Sequence, residues 1–158
     1  HWETDLMLGG CRGKEALLAI AERKSRFPCL RKVKDKKSSS IMEALRAIQE
    51  EFGGSFEELF ETITTDNGTA FSRLPELEEG HNLRICYAHP YCPSDKGMIE
   101  NMNRIIRHFI PKGKHLENCT ANEIIAIQQW LRDLPRKKLG YHTAQECLLH
   151  ECRKDSIC

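Results

Sequence analysis

Apolar residues in the first part of the chain form short runs that predict β-strands. Residues 1–8 alternate in polarity, residues 16–21 are apolar throughout, and residues 27–33 form a third run. An uninterrupted apolar run is typical of a strand that is covered on both faces. Glycines at positions 9, 10 and 13 indicate a turn between the first two runs. We therefore predict an antiparallel meander of three strands.

A helical period replaces this pattern after residue 40. Ile41, Leu45, Ile48 and Phe52 recur at helical intervals, and Ser40 has the capping-box spacing to Glu43. Such a stretch predicts an amphipathic helix of about three turns.

Alternating short strands and helices are predicted for the rest of the chain. Strands are expected at residues 62–65 and 83–87, and helices at about 71–78 and at 99–110. Two further helices should begin at capping boxes, Thr120 with Glu123 and Thr143 with Glu146. The order predicts an α/β fold with a mixed sheet of about five strands flanked by helices, in a single domain that spans residues 1–158 and ends in a helical segment.

Composition places the chain among soluble globular proteins, with 40% hydrophobic and 30% charged residues. No apolar stretch approaches the roughly 20 residues needed to cross a bilayer. The chain begins at His1 without Met, so we expect a fragment of a longer protein. The eight cysteines include no Cys-x-x-Cys pair, which favours free thiols over a disulfide framework. A zinc site at Cys147, His150 and Cys152 is the alternative, but it lacks a fourth ligand at a suitable spacing.

Charge is segregated along the chain although the net charge is only +1. Acidic residues gather at 50–61 and 76–79, whereas basic residues form three separate runs. This segregation can produce a basic face on a nearly neutral protein. The basic runs are Arg31 to Lys37, Lys96 to Lys114, and Arg132 to Lys138.

Three carboxylates are candidates for a metal site. Asp5 lies inside the first predicted strand, where an unpaired carboxylate is costly to bury. Asp66 ends a later strand at an Asp-Asn-Gly turn, and Glu100 lies in the first turn of a helix. Carboxylates from different elements can hold Mg²⁺, and two such ions suffice for phosphodiester cleavage.

The helix that carries Glu100 also presents polar and basic groups. Glu100, Asn103, Arg104 and Arg107 share one face, so that a metal-binding carboxylate would lie beside guanidinium groups suited to phosphate. An ordinary Glu100–Arg104 ion pair is the structural alternative, and both interpretations are compatible.

Six sequence blocks, in order from His1 to about Glu146, resemble bacterial insertion-sequence transposases of the insertion-sequence-thirty type, which have a DDE integrase core. The blocks are His1 to Leu6, Glu22 to Phe27, Thr64 to Gly68, Tyr91 to Asn101, Pro111 to Gly113, and Pro135 to Tyr141.

The resemblance implies a ribonuclease-H-like, retroviral-integrase-type fold in which Asp5, Asp66 and Glu100 are the catalytic, metal-binding triad. It implies two Mg²⁺ ions, replaceable by Mn²⁺, with cleavage at the ends of the element followed by strand transfer into target DNA. Asn67 and Asn101 would shape the site. The candidates for DNA contact are Lys96, Arg104, Arg107, Arg136 and Lys137.

The chain departs from the family pattern at a few positions. Lys96 and Leu134 each stand where the family usually has arginine, and Ile99 replaces a common asparagine. These changes leave open an inactive or domesticated remnant that serves as a DNA-binding or assembly module. A nuclease of the same fold without strand transfer is a further alternative, because it would need the same metal ions.

The resemblance also predicts the setting in which the chain works. Its partners would be DNA, as element ends and target, and further copies of itself assembled on DNA, with no membrane. The location would be the bacterial cytoplasm, in association with the nucleoid. Because the family's upstream DNA-recognition region is not found in this sequence, we expect weak, salt-sensitive, nonspecific DNA binding.

Overall fold

The computed structural model describes residues 1–10, 13–89 and 93–155. Within these ranges it contains a five-stranded sheet and five α-helices. The strands are β1 (Trp2–Leu8), β2 (Ala16–Glu22), β3 (Pro28–Val33), β4 (Thr62–Thr65) and β5 (Arg84–Tyr87). The helices are α1 (Ser38–Phe52), α2 (Phe56–Leu59), α3 (Gly97–Phe109), α4 (Ala121–Asp133) and α5 (Ala144–Asp155). None of the described helices is long and apolar enough to cross a membrane.

The sheet is mixed, with strand order β3-β2-β1-β4-β5. The pairs β1–β2 and β2–β3 are antiparallel, which confirms the predicted meander, whereas β1–β4 and β4–β5 are parallel. Parallel pairing directs the carboxyl ends of β1 and β4 to the same edge. Because Glu3 pairs with Thr64, extending the register by two residues brings Asp5 level with Asp66.

Strand β2 is buried along its whole length, as its apolar run predicted. Ala16, Leu18 and Ile20 face a core cluster that includes α1, while Leu17 and Ala19 face a second cluster built with α3 and α4. The side chains of Glu3, Asp5 and Met7 alternate with buried Trp2 on β1 and therefore point to the α3 side. The sheet thus presents its acidic strand residues to the helix that carries Glu100.

Trp2 fixes the start of β1 in the first core cluster. Its ring stacks on Phe60 with centroids 4.1 Å apart, and its Nε1–H donates to the Leu59 carbonyl at 2.8 Å. A large buried aromatic ring whose one polar group is satisfied anchors a strand well. The position of Asp5, three residues further along, is accordingly set by the core.

Two local predictions were wrong. The helix predicted at about 71–78 is instead a pair of 3₁₀ turns, because Pro75 lacks the backbone N–H that a continuous helix would use. The capping box predicted at Ser40 is absent, since α1 begins earlier and Asp35 accepts bonds from both the Lys37 N–H and the Ser40 hydroxyl. The capping boxes at Thr120 and Thr143 are confirmed.

Among the described cysteines, Cys29, Cys86, Cys119 and Cys147 are free thiols, as predicted. Burial raises the pKa of the Cys29 thiol to about 11, so this group stays protonated at neutral pH. Cys11, Cys92 and Cys158 lie outside the described residues, as do parts of the predicted turn at 9–13 and of the block at 91–101.

Candidate active site

Asp5 lies in the central strand with its carboxylate only partly exposed. Its Oδ1 accepts a hydrogen bond from Lys96 Nζ at 2.9 Å, and its Oδ2 accepts one from Asn103 Nδ2 at 2.6 Å. Both partners come from the segment of α3 and the turn before it, about ninety residues away along the chain. The costly strand carboxylate is therefore compensated by an ammonium group and an amide.

Asp66 follows β4 immediately and is held by its own turn. Its Oδ1 accepts from the Gly68 N–H at 2.8 Å, which closes the predicted Asp-Asn-Gly turn. A Cβ atom on Gly68 would lie only 2.7 Å from this oxygen, so a larger residue here would displace the Asp66 carboxylate. Oδ2 remains directed to Lys96 Nζ at 3.4 Å. The side chain of Asn67 projects from the same turn and is exposed.

Lys96 joins the two aspartates. The residue is 8% exposed, and its ammonium group contacts both Asp5 and Asp66. The predicted DNA contact at this position therefore lies between the carboxylates of the predicted triad and not on the surface. A single positive charge at this point occupies the place where oxygen ligands from β1 and β4 converge.

Glu100 lies in the first turn of α3 and is exposed. It lines an open groove of about 660 Å³ together with Asp5, and we call this the carboxylate groove. The ion pair considered for Glu100 with Arg104 is not formed, because Arg104 donates to Asn101 Oδ1 at 2.6 Å. The residues that line the carboxylate groove are Asp5, Leu6, Met7, Leu8, Glu100, Asn103, Arg104, Arg107 and Lys112.

The three predicted carboxylates are thus brought to one region but not into one cluster. In the part of the chain that the structure describes, no three His, Cys, Asp or Glu side chains lie close enough to hold an ion together. Asp5 and Asp66 share Lys96 as a cationic partner. Glu100 shares with Asp5 only the groove that both residues line.

Glu3 is a site residue that the sequence reasoning missed. Its carboxylate is 1% exposed, accepts from the Ile99 N–H at 2.8 Å, and lies 3.1 Å from Arg23 Nε. Burial raises the pKa of the Glu3 carboxyl, and the Ile99 hydrogen bond and the Arg23 charge oppose this effect. The bond to Ile99 fixes the first turn of α3 and hence the base of Glu100. The sequence signal that could have identified Glu3 is its position two residues before Asp5, which places both carboxylates on the same face of a central strand.

Asn103 was recognised only as a member of the Glu100 face. The structure gives it a specific contact, since its amide orients one oxygen of Asp5. Arg107 on the same face donates to the carbonyl of Leu8 at 2.9 Å and so ties the last turn of α3 to the end of β1. Its guanidinium still lines the carboxylate groove.

The remaining predicted DNA contacts meet on the next face of α3. Arg104, Arg136 and Lys137 line a second groove of about 700 Å³, and Asn101 lies in it as well. We call this the basic groove, since none of the described residues that line it carries a carboxylate. Those residues are Arg26, Gly97, Met98, Asn101, Arg104, Ile105, Leu134, Arg136, Lys137 and Lys138.

Solved structures with the same architecture are catalytic cores of retroviral integrases. The integrase core of bovine immunodeficiency virus matches 98% of this chain and 97% of its own, with a TM-score of 0.67 and 16% identity. The HTLV-2 integrase core, solved in complex with magnesium, matches 92% of this chain and 93% of its own, with a TM-score of 0.66 and 20% identity. The fold is therefore of the ribonuclease-H-like integrase type, as predicted.

Among curated proteins, the chain is similar to bacterial insertion-sequence transposases. It is 31% identical to the probable transposase of IS1161 from Streptococcus salivarius over 92% of the chain. Identity to the IS1086 transposase of Cupriavidus metallidurans is 32% over 94% of the chain, and identity to an IS30 transposase of Escherichia coli is 30% over 94%. The predicted resemblance is confirmed by these relatives. The chain spans 40%, 42% and 37% of their respective lengths, and no family model matches it.

Proposed function

We propose that this chain is the catalytic core of a DNA transposase, a polynucleotidyl transferase that cleaves phosphodiester bonds at element ends and joins them to target DNA with divalent metal ions. The observation that carries the proposal is the convergence on one cation of Asp5, from within β1, and Asp66, directly after β4. The similarity to transposases over more than nine-tenths of the chain supports it independently.

The donor set suits Mg²⁺ or Mn²⁺. Asp5 and Asp66 offer carboxylate oxygens, which these ions prefer, and the ammonium group of Lys96 already stands in for a cation between them. Asp5, Asp66 and Glu100 would hold the metal, with Lys96 moved aside and Glu100 reaching across the carboxylate groove. When bound, two such ions would favour formation of the attacking oxygen nucleophile and stabilise the leaving oxygen.

The protein's own groups would prepare this site. Asn103 holds one oxygen of Asp5, which leaves the other free to exchange Lys96 for a metal ion. Glu3 fixes the first turn of α3 and so limits the positions that Glu100 can reach. Arg104 and Lys112 add positive charge to the rim of the groove, where they would attract a phosphodiester backbone.

A second candidate function is a catalytically inactive remnant that binds DNA. The observation that favours it is Lys96 itself, because a buried ammonium group that contacts both Asp5 and Asp66 would exclude metal if it could not move. A nuclease without strand transfer would use the same three carboxylates, so only its products would distinguish it.

Plasmid DNA tests all three functions. The protein is incubated with supercoiled plasmid and a labelled oligonucleotide in Mn²⁺ or EDTA, and nicked and joined products are measured separately. We expect metal-dependent nicking and joining that Asp66→Asn abolishes, because this change removes one of the two convergent carboxylates. The matched control Asp133→Asn changes an exposed aspartate on α4 and should keep wild-type activity.

The outcomes separate the candidates. Nicking without joined products would indicate the nuclease, and the absence of both with retained DNA binding would indicate the remnant. Equal activity in Asp66→Asn and the wild-type protein would contradict the proposed site. Assembly of several copies on DNA and a cytoplasmic, nucleoid-associated location belong to the same proposal, and one of the integrase structures with this fold is a simian T-cell lymphotropic virus intasome.

A further inference from the structure

Two arginines in the basic groove lie close together without an anionic partner. Arg26 follows β2 in a left-handed backbone conformation with φ of 61°, and Arg136 lies in the segment between α4 and α5. Burial, reinforced by the charge of Arg26, lowers the pKa of the Arg136 guanidinium. Neither side chain forms an ion pair with any described residue.

The hydrogen-bonding capacity of Arg136 is largely unused. Its Nη2 donates to the Leu131 carbonyl at 3.2 Å, but its buried Nε has no acceptor among the described residues. A half-buried guanidinium normally has an anionic or carbonyl partner for most of its donors. A partly desolvated like-charge pair is unfavourable unless an anion is shared between its members.

The surroundings point to the chemistry of that anion. Lys137 and Lys138 add two exposed cations, and Arg104 lies on the border with the carboxylate groove, since it lines both. The two grooves occupy adjoining faces of α3, so one extended polyanion could pass from Glu100 over Arg104 to Arg136. A planar guanidinium pair fits the oxygens of a phosphodiester.

We propose that Arg26 and Arg136 together bind a backbone phosphate of DNA at a subsite beside the cleavage site. The inference rests on the proposed function, because it assumes that the strand in the carboxylate groove continues into the basic groove. Arg26 would act with Arg136 on a single phosphate, which predicts that their contributions are not additive.

Salt-dependent DNA binding tests the subsite. Binding of a fluorescent duplex of arbitrary sequence is measured by anisotropy at several salt concentrations in EDTA. We expect Arg26→Gln and Arg136→Gln each to weaken binding about 3- to 10-fold at low salt and to reduce the salt slope by about 1. The double variant should be little weaker than either single one. Arg46→Gln removes the same charge from an exposed position on α1, and it should leave the DNA affinity and the salt slope unchanged.

Folding effects and free phosphate are controlled separately. If Arg136→Gln lowers the thermal stability, the binding result of Arg26→Gln is used instead. The Arg26 side chain makes no hydrogen bond to a described residue, so this change should not affect folding. Inorganic phosphate should displace the duplex no better than chloride of equal ionic strength, as expected of a site for polymeric phosphate. Saturable phosphate binding, with wild-type DNA affinity in both single variants, would overturn the proposal.

The binding measurement distinguishes failure of the subsite from failure of the catalytic proposal. DNA binding in EDTA needs no metal, so loss of binding in Arg26→Gln alongside inactive wild-type protein would refute catalysis and retain the subsite. Active wild-type protein with unchanged DNA binding in both variants would retain catalysis and refute the subsite.

Discussion

The acidic and basic side chains on the two sides of α3 differ in whether the protein itself supplies a partner of opposite charge. Beside the carboxylate groove, Asp5 and Asp66 both pair with the ammonium group of Lys96, and Asp5 has a second partner in Asn103. In the basic groove, Arg26 and Arg136 lie together and no described carboxylate compensates them. The two aspartates thus have a cationic partner within the protein, whereas the two arginines have no anionic partner among the described residues.

This difference determines what an incoming ligand has to displace at each site. A cation that binds between Asp5 and Asp66 has to displace Lys96, so its binding free energy is reduced by the interaction that it breaks. An anion that enters the basic groove displaces only water and relieves a like-charge contact. We therefore expect DNA to bind without metal, and metal binding to depend on displacement of the Lys96 ammonium group from Asp5 and Asp66.

The largest effect is expected for Glu100→Gln. Glu100 is exposed and forms no hydrogen bond or ion pair with a described residue, so the free energy of unfolding should change by less than about 0.5 kcal/mol. Metal-dependent nicking of plasmid should nevertheless fall by about 100- to 1,000-fold, because metal catalysis contributes several kcal/mol. Rates and thermal unfolding curves are compared with those of Glu79→Gln, an exposed control. Nicking by Glu100→Gln at the control rate would remove Glu100 from the site.

A smaller effect is expected for Lys96→Met. Loss of the ammonium group leaves Asp5 and Asp66 facing each other, so the metal-free protein should lose about 1–2 kcal/mol of stability, a value reduced by partial exposure of the pair. Removing the competing cation should raise Mn²⁺ affinity about 10-fold, which corresponds to about 1.4 kcal/mol. Titration calorimetry and thermal unfolding with and without Mn²⁺ measure both quantities.

Lys112→Met is the matched control for this change. Lys112 lines the same groove, but no contact with a carboxylate is found for it among the described residues. If both variants bind Mn²⁺ equally, Lys96 does not compete with metal for Asp5 and Asp66.

The smallest effect is expected for Leu134→Arg. Leu134 lines the basic groove two residues before Arg136, so the change adds one cation beside that guanidinium. DNA affinity at low salt should rise about two- to threefold, with a salt slope steeper by about 1. Leu149→Arg adds the same charge on α5, outside this groove. An equal gain from Leu149→Arg would mean that net charge alone controls binding.

Features with a local signal were predictable from the sequence. The apolar run of β2, the Asp-Asn-Gly turn at Asp66 and the capping boxes at Thr120 and Thr143 depend on neighbouring residues, and the structure contains each of them. The resemblance to transposases indicated the fold because it combined blocks spread over the chain. The Ser40 capping box was wrong because Asp35, which lies closer to the preceding turn, supplies the acceptor.

Contacts between distant segments were not predictable in this way. Lys96 was predicted to contact DNA, and nothing near it in sequence indicates that its ammonium group meets Asp5 and Asp66. Glu3 capping α3, and Arg26 beside Arg136, likewise depend on how the sheet and helices pack. Side-chain partners of this kind follow from the tertiary structure and not from local propensity.

The central claim is that Asp5 and Asp66 hold a divalent cation at the point where Lys96 now lies. Crystals soaked in Mn²⁺ and an anomalous difference map test it directly, with Asp66→Asn as the control. The account predicts a peak within coordination distance of both aspartates, Lys96 Nζ displaced from them, and no peak in the variant. A map without a peak, in which Lys96 still bridges Asp5 and Asp66, would contradict the account and favour the inactive remnant.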